Sequence, residues 1–278
     1  MHSIAAGRAE IRPARAPRFR RRRLCAIPAR VRSPVRLPGV PTEWLVWDEA
    51  IRCPYLPDQT ARLPLRLPAR RLQPLELAER LAEGDRRQGV LLYRPSCPSC
   101  RACEAIRIDV EQLRMSKTQR RVFRRGEALL RTEIGRPSAT AEKVALYNRH
   151  KVERKLLIGD GRIDANGYEQ FLVESCADTI ELCYWLGDTL VGVAIADRAS
   201  TALSAVYCFY APEHAALSPG TYSILKQAAL CRSWGLRYLY LGLYVGGCAA
   251  MQYKARYLPH ERLIGGKWRR FERDAAPR

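Results

Sequence analysis

The chain has 278 residues, 47% of them apolar, and 48 Lys+Arg against 28 Asp+Glu leave a net charge of +20. That apolar share fills one or two compact cores and excludes a wholly disordered chain; no uninterrupted apolar run approaches the roughly 18 residues of a membrane-spanning helix, which excludes that class. So large a positive excess points to a polyanionic partner, because it draws phosphate backbones at long range.

The Arg/Pro/Ala-rich stretch from Met1 to Pro41 sets 11 arginines, among them the tetrad Arg20, Arg21, Arg22 and Arg23, against the single acid Glu10, an excess that opposes burial of a core, so residues 1–41 read as a disordered extension. Globular patterning begins at Trp44. Residues 42–115 read as an N-terminal unit with a helix predicted near Pro74 to Glu83, the thiols Cys97, Cys100 and Cys103, and a strand from Ile106 to Val110. Residues 116–137, rich in arginine, read as a basic linker. The second unit, 138–272, opens with a helix predicted from Ala139 to Lys155 and capped by Ser138 or Thr140. On it Tyr147, His150, Lys151 and Arg154 share one face.

A short helix is predicted near Tyr168 to Ser175, then three strands: Ile180 to Leu186, Thr189 to Asp197 and Ala202 to Tyr210, with Gly187-Asp188 as a turn. Ser218-Pro219-Gly220-Thr221 starts the next helix, Ser as N-cap and Pro at the first position, and Gly235 stops it. A strand from Tyr238 to Val245 and a basic, aromatic tail from Met251 to Phe271 complete the order. The fold class is α+β.

Three constellations carry chemistry. Cys97, Cys100 and Cys103 in a Pro-containing loop can converge on one ion, with Cys53 as the natural fourth ligand; zinc and an iron–sulfur cluster both fit four thiolates, and the alternative is reduced cysteines lining a small core. The 10 cysteines follow no secretory signal, so the expected setting is reducing and cytoplasmic. At the start of the helix near Gly220 and Thr221, free backbone donors suit an anionic group or a developing oxyanion. In the tail, Tyr253, Lys254, Arg256 and Tyr257 combine rings for stacking on an unpaired base with cations for a carboxylate, and solvated basic positions on a final strand are the plain alternative.

With these residues in view, the sequence resembles the bacterial aminoacyl-tRNA–protein transferases of the N-degron pathway, the aspartate/glutamate leucyltransferases and their arginyltransferase cousins. The resemblance rests on Cys53-Pro54-Tyr55-Leu56-Pro57, the block from Tyr93 to Cys103, Gln119 to Arg125, Asp197, Leu203 to Tyr207, Gly220 to Leu225, Tyr238 to Gly242 and Tyr253 to Tyr257. It implies a cysteine-bearing N-terminal domain followed by an acetyltransferase-like (GNAT-like) domain. It also implies transfer of an amino acid, leucine favoured and arginine the alternative, from aminoacyl-tRNA to proteins with N-terminal Asp or Glu, marking them for degradation. No cofactor is required for that chemistry. In eukaryotic relatives N-terminal cysteines are associated with an iron–sulfur cluster; here Leu56 stands where those relatives carry a further cysteine.

On this reading Asp197 orients or deprotonates the incoming amine, and Tyr207 and Tyr222 pass a proton toward the departing ribose oxygen. Lys254 and Arg256 select the acidic residue. Arg120, Arg121, Arg124 and Arg125, with His150, Lys151 and Arg154, hold the RNA backbone. Two rivals remain: an acetyl-coenzyme-A-dependent acetyltransferase, for which Gly220 alone is a poor pyrophosphate cradle, and a metal-stabilised RNA-binding module without catalysis.

Overall fold

A computed structural model describes residues 35–37, 39–154 and 161–272. The arginine tetrad and most of the N-terminal stretch lie outside the described residues. The stretch nevertheless ends inside the fold: β1 (Val35–Leu37) pairs antiparallel with β2 (Glu43–Trp47), so the structured chain starts earlier than position 42. Then come β3 (Ala50–Arg52), β4 (Thr60–Arg62), β5 (Leu65–Pro68), α1 (Pro74–Ala82), β6 (Arg86–Gln88) and β7 (Leu91–Tyr93). They form a five-stranded sheet in the order β1-β2-β5-β7-β6 and a separate β3-β4 hairpin. In α1, Pro74 opens the first turn, Glu76 Oε2 accepts the Gln73 N–H at 2.7 Å, and Leu77 and Leu81 are buried.

From β8 onward the chain builds one large sheet. Its elements are β8 (Cys103–Asp109), α2 (Lys117–Leu129), β9 (Arg131–Gly135), α3 (Ala141–Glu153), and α4 (Ala165–Tyr168) with a π-helical turn, Glu169–Val173. After these come β10 (Thr179–Leu186), β11 (Thr189–Arg198), β12 (Ala202–Tyr210), α5 (Pro219–Ser233), β13 (Tyr238–Val245), α6 (Ala249–Gln252), a 3-10 turn (Tyr253–Arg256), and the hairpin β14 (His260–Ile264) and β15 (Lys267–Phe271). The sheet has eight strands in the order β15-β14-β8-β13-β12-β11-β10-β9. The mixed α/β class expected from the sequence is thus observed, but the boundary near residue 115 is not a break. Strand β8 of the cysteine-bearing stretch lies between β13 and β14 and completes the sheet of the second unit.

Residues 116–137 are no linker either. Ser116 caps α2, its Oγ accepting the Gln119 N–H at 3.1 Å while Gln119 Oε1 accepts the Ser116 N–H at 2.8 Å. Val122 and Gly126 are buried against α5, and β9 forms the edge of the sheet on β10. The arginines that gave this segment its charge occupy the outer face.

Alternation along β11 assigns the two layers. Ala194 and Ala196 pack with Tyr222 under α5, whereas Val193 and Ile195 pack with Leu146, Tyr147 and Phe209 under α3; Val191 joins the first set through the register shift opposite Tyr184 and Trp185. A bulge opposite Ile195 and Ala196 leaves Val206 as an extra residue in β12.

Candidate active site

Strands β12 and β13 are the one parallel pair of the large sheet, joined through α5. Their pairing runs from Ala202↔Tyr238 to Ser204↔Tyr240 and stops, although the strands continue to Tyr210 and Val245. Backbone carbonyls bared by this break need donors, because a buried unpaired C=O is costly. Buried cations supply them. Arg86 Nη2 donates to Ala205 O at 3.1 Å and Nη1 to Ser204 Oγ at 3.1 Å; Lys254 Nζ donates to Leu243 O at 2.7 Å. Arg86 is 8% exposed and Lys254 7%. Gly242, at φ +83°, makes room for the guanidinium, since a Cβ there would stand 3.2 Å from Arg86 Nη2.

The start of α5 lies beside Tyr210, in the part of β12 beyond its pairing with β13. A Cβ on Gly220 would meet the Tyr210 ring at 3.6 Å, and the Thr221 side chain bonds Tyr257. Ser218 occupies the N-cap position but adopts a left-handed conformation (φ 54°) with no side-chain cap bond, so the expected serine cap is replaced by backbone geometry. Tyr253 is 42% exposed. Burial, and secondarily the positive charge of Arg86, holds the Lys254 pKa down at about 7.

Of the three residues expected to do proton chemistry, two are bound elsewhere. Asp197 is 1% exposed and spent on structure: Arg87 Nε donates to Oδ2 at 2.7 Å and Thr179 Oγ1 to Oδ1 at 2.6 Å. Both oxygens are thus engaged within the protein, away from solvent. Tyr222 is fully buried, its ring packed against Gly126 and its hydroxyl donating to Glu127 Oε1 at 2.7 Å, so it joins α5 to α2 instead of lining the break. Tyr207, next to the bulge, faces the opposite layer, its phenol bonded to Tyr147 and its ring edge-on to Phe171 at 5.6 Å. Tyr207 and Tyr222 therefore cannot form one relay.

Arg256 is exposed and its carbonyl accepts from Gln119 Nε2 at 3.2 Å, which ties the tail to the start of α2. Arg120, Arg121, Arg124 and Arg125 all lie exposed on α2. On α3 the expected basic face divides. Tyr147 and His150 are buried, and the His150 ring Nδ1 sits 3.0 Å from Tyr210 O, so His150 secures α3 to β12 and does not face a ligand. Burial also lowers its pKa. Lys151 is half-buried, and Arg154 is exposed with its guanidinium 5.9 Å from the Tyr210 ring centre.

Cys53, Cys97, Cys100 and Cys248 lie near Cys103. Cys53 Sγ accepts the Tyr55 and Leu56 N–H groups at 3.5 and 3.4 Å, and Cys100 Sγ accepts the Ala102 N–H at 3.5 Å. The Cys103 thiol is pushed up to about 12, by burial first and then by Cys97, Cys53, Cys100 and Cys248 around it. Sequence spacing missed Cys248, which follows β13. Among the described residues no group of three or more His, Cys, Asp or Glu side chains is set to hold a metal ion. Arg86 and Arg87 were missed as well: an arginine pair in an arginine-rich chain carries no distinguishing spacing.

No helix among the described residues is long and apolar enough to cross a membrane. Two family models match the chain: Arginine-tRNA-protein transferase, N terminus, over residues 51–121, and Arginine-tRNA-protein transferase, C terminus, over residues 142–264. An aspartate/glutamate leucyltransferase of Acinetobacter baumannii is 36% identical over 228 residues, covering 81% of this chain and 83% of that protein. Another aspartate/glutamate leucyltransferase, from Chromobacterium violaceum, is 37% identical over 217 residues, covering 78% and 89%. Among solved structures, the C-terminal domain of a putative lysylphosphatidylglycerol synthetase from Agrobacterium fabrum matches at 11% identity and TM-score 0.40, covering 52% of this chain and 47% of that one. The matches at both ends and identity across most of the length of curated relatives place the chain in the arginine-tRNA-protein transferase family.

Proposed function

We propose that the chain transfers leucine from leucyl-tRNA to the α-amine of proteins that begin with aspartate or glutamate, with the break between β12 and β13 as the place of transfer. The observation that carries this reading is the parallel pair parting after Ser204↔Tyr240 beside the bulge at Val206, with the start of α5 beside Tyr210, beyond that pairing. A helix joining two parallel strands that then part is also what favours an acetyltransferase-like description of this unit.

The ester of a charged tRNA is already activated, and an α-amine with a pKa of about 7.7–8.0 is partly neutral at physiological pH. Transfer therefore depends chiefly on holding the amine against the ester carbonyl. In the proposed arrangement the first-turn N–H groups at Gly220 and Thr221 meet the charge growing on the carbonyl oxygen. Tyr253 stacks on the unpaired 3′ end. The exposed arginines of α2, joined to the tail through the Gln119–Arg256 bond, and Lys151 and Arg154 of α3 track the RNA backbone.

The reaction needs no cofactor, so a metal at Cys53, Cys97, Cys100 and Cys103 is proposed as a structural group, zinc or an iron–sulfur cluster. The nearness of Cys53, Cys97 and Cys100 to Cys103 supports it. Metal analysis and acid-labile sulfide in purified protein decide between them, and a protein that carries neither overturns the assignment. A cytoplasmic location follows from the substrates.

The test of the function is to incubate the protein with an Asp-initiated peptide and tRNA charged with labelled leucine or labelled arginine. Leucine arriving on the peptide is the expected result. Arginine arriving instead corrects the donor, and no transfer of either from folded protein overturns the reading.

A further inference from the structure

Among the described residues neither Arg86 nor Lys254 has a carboxylate partner. The carboxylate whose charge Arg86 feels, Asp197, is already held by Arg87 and Thr179. The phenols of Tyr55 and Tyr93, which also face Arg86, are held protonated by burial and are not counter-ions. Lys254 contacts only Leu243 O and, at 3.2 Å, Met251 Sδ; the groups facing it are Arg86 from β6, the Cys248 thiol after β13, and the Tyr253 ring at 6.0 Å. Two buried cations that repel each other and lack an anion are an unfavourable arrangement for the free protein. An incoming anion of the right size removes the penalty.

We propose that Arg86 and Lys254 together receive the side-chain carboxylate of the acceptor's first residue, so that a cation from the N-terminal unit and one from the C-terminal tail jointly make the acid selection. The inference rests on the transfer reading above and replaces Arg256, whose side chain is in solvent, with Arg86. One N–H each of Nη1 and Nη2 is held by Ser204 Oγ and Ala205 O, which with the close approach at Gly242 fixes the guanidinium plane, and its remaining N–H groups are the donors offered to a carboxylate. Occupancy favours the charged form of Lys254, which is close to half protonated at neutral pH in the free protein. Binding of an acidic acceptor above neutral pH therefore takes up a proton.

The test compares peptides differing only in the first residue, Asp against Asn, so that the α-amine contributes equally to both. With the wild-type protein, calorimetry at pH 8 in two buffers of different ionisation enthalpy is expected to show proton uptake on binding the Asp peptide beyond that for the Asn peptide. Arg86→Gln is expected to raise KM for the Asp peptide about tenfold to one hundredfold, to leave KM for leucyl-tRNA unchanged and to collapse the Asp-over-Asn preference. Arg86→Lys restores part of that preference. If Arg86→Gln fails to fold, Lys254→Met decides: an Asp-over-Asn preference kept intact in that variant overturns the proposal. Intact Asp-over-Asn selection in a folded Arg86→Gln variant does the same. A wild-type protein that transfers leucine to neither peptide refutes the underlying function instead, a distinguishable result.

Discussion

Asp197→Ala separates a structural carboxylate from a catalytic one. In the folded protein Arg87 and Asp197 are each 2% exposed at the side chain and meet at 2.7 Å. Arg87 Nη1 reaches only the carbonyls of Gly89, at 3.0 Å, and Glu174, at 3.3 Å, while Nη2 has no partner. Removing the carboxylate leaves a guanidinium buried without its charge and the Thr179 hydroxyl without its acceptor. Breaking a buried pair on one side costs about 3–5 kcal/mol. For a domain of this size each kcal/mol lowers Tm by roughly 2–4 °C, so a fall of about 6–20 °C is expected. The assay is urea and thermal unfolding followed by circular dichroism, paired with leucine transfer measured at a temperature where the variant stays folded. The double variant Arg87→Met/Asp197→Leu, which removes both charges, should recover most of the loss, because an apolar pair of similar volume often replaces a buried ion pair at no cost. A variant that unfolds like the wild type but has lost its transfer rate would refute this reasoning and return Asp197 to the chemistry.

Other outcomes can be checked in parallel. Lys254 has a folded pKa of about 7 against 10.5 in the unfolded chain, so between those values the unfolded state holds the extra proton and its burial weighs most below pH 7. Lys254→Met should accordingly raise stability near pH 6 by up to a few kcal/mol, at about 1.4 kcal/mol per unit of depression, with the gain fading toward pH 10 in denaturant titrations at several pH values. Gly126→Ala places a Cβ 2.1 Å from the Tyr222 ring and should cost about 1–3 kcal/mol by calorimetry, since the ring is held by Glu127 and cannot step aside. Replacing Arg120, Arg121, Arg124 and Arg125 by Gln should flatten the dependence of log affinity for tRNA on log salt by about 0.7–0.9 for each phosphate no longer neutralised, leaving affinity for the peptide alone as it was.

The amino-acid sequence by itself determined the element order of the second unit. Three strands with a turn at Gly187-Asp188, a helix from Pro219 and a strand from Tyr238 are local facts, written in alternation, a proline at a first turn and a glycine stop. Local signals also brought out the cysteine spacing and the basic, aromatic tail around Lys254. They misled where charge masked packing: α2 looked like a linker because its arginines outnumber its buried face, and only the packing of Tyr222 against it explains why Gly126 stands in that helix.

Tertiary structure decided the roles, since a titratable group takes its function from neighbours that the chain brings from afar. Arg87 disarms Asp197 from 110 residues away, and β8 completes a sheet whose other strands follow it in the chain. Arg86 reaches Ser204 and Ala205 only because β6 is carried over Gly242, where two parallel strands part company. Burial, pairing and the want of a counter-ion are properties of the assembled interior, and no spacing along the chain encodes them.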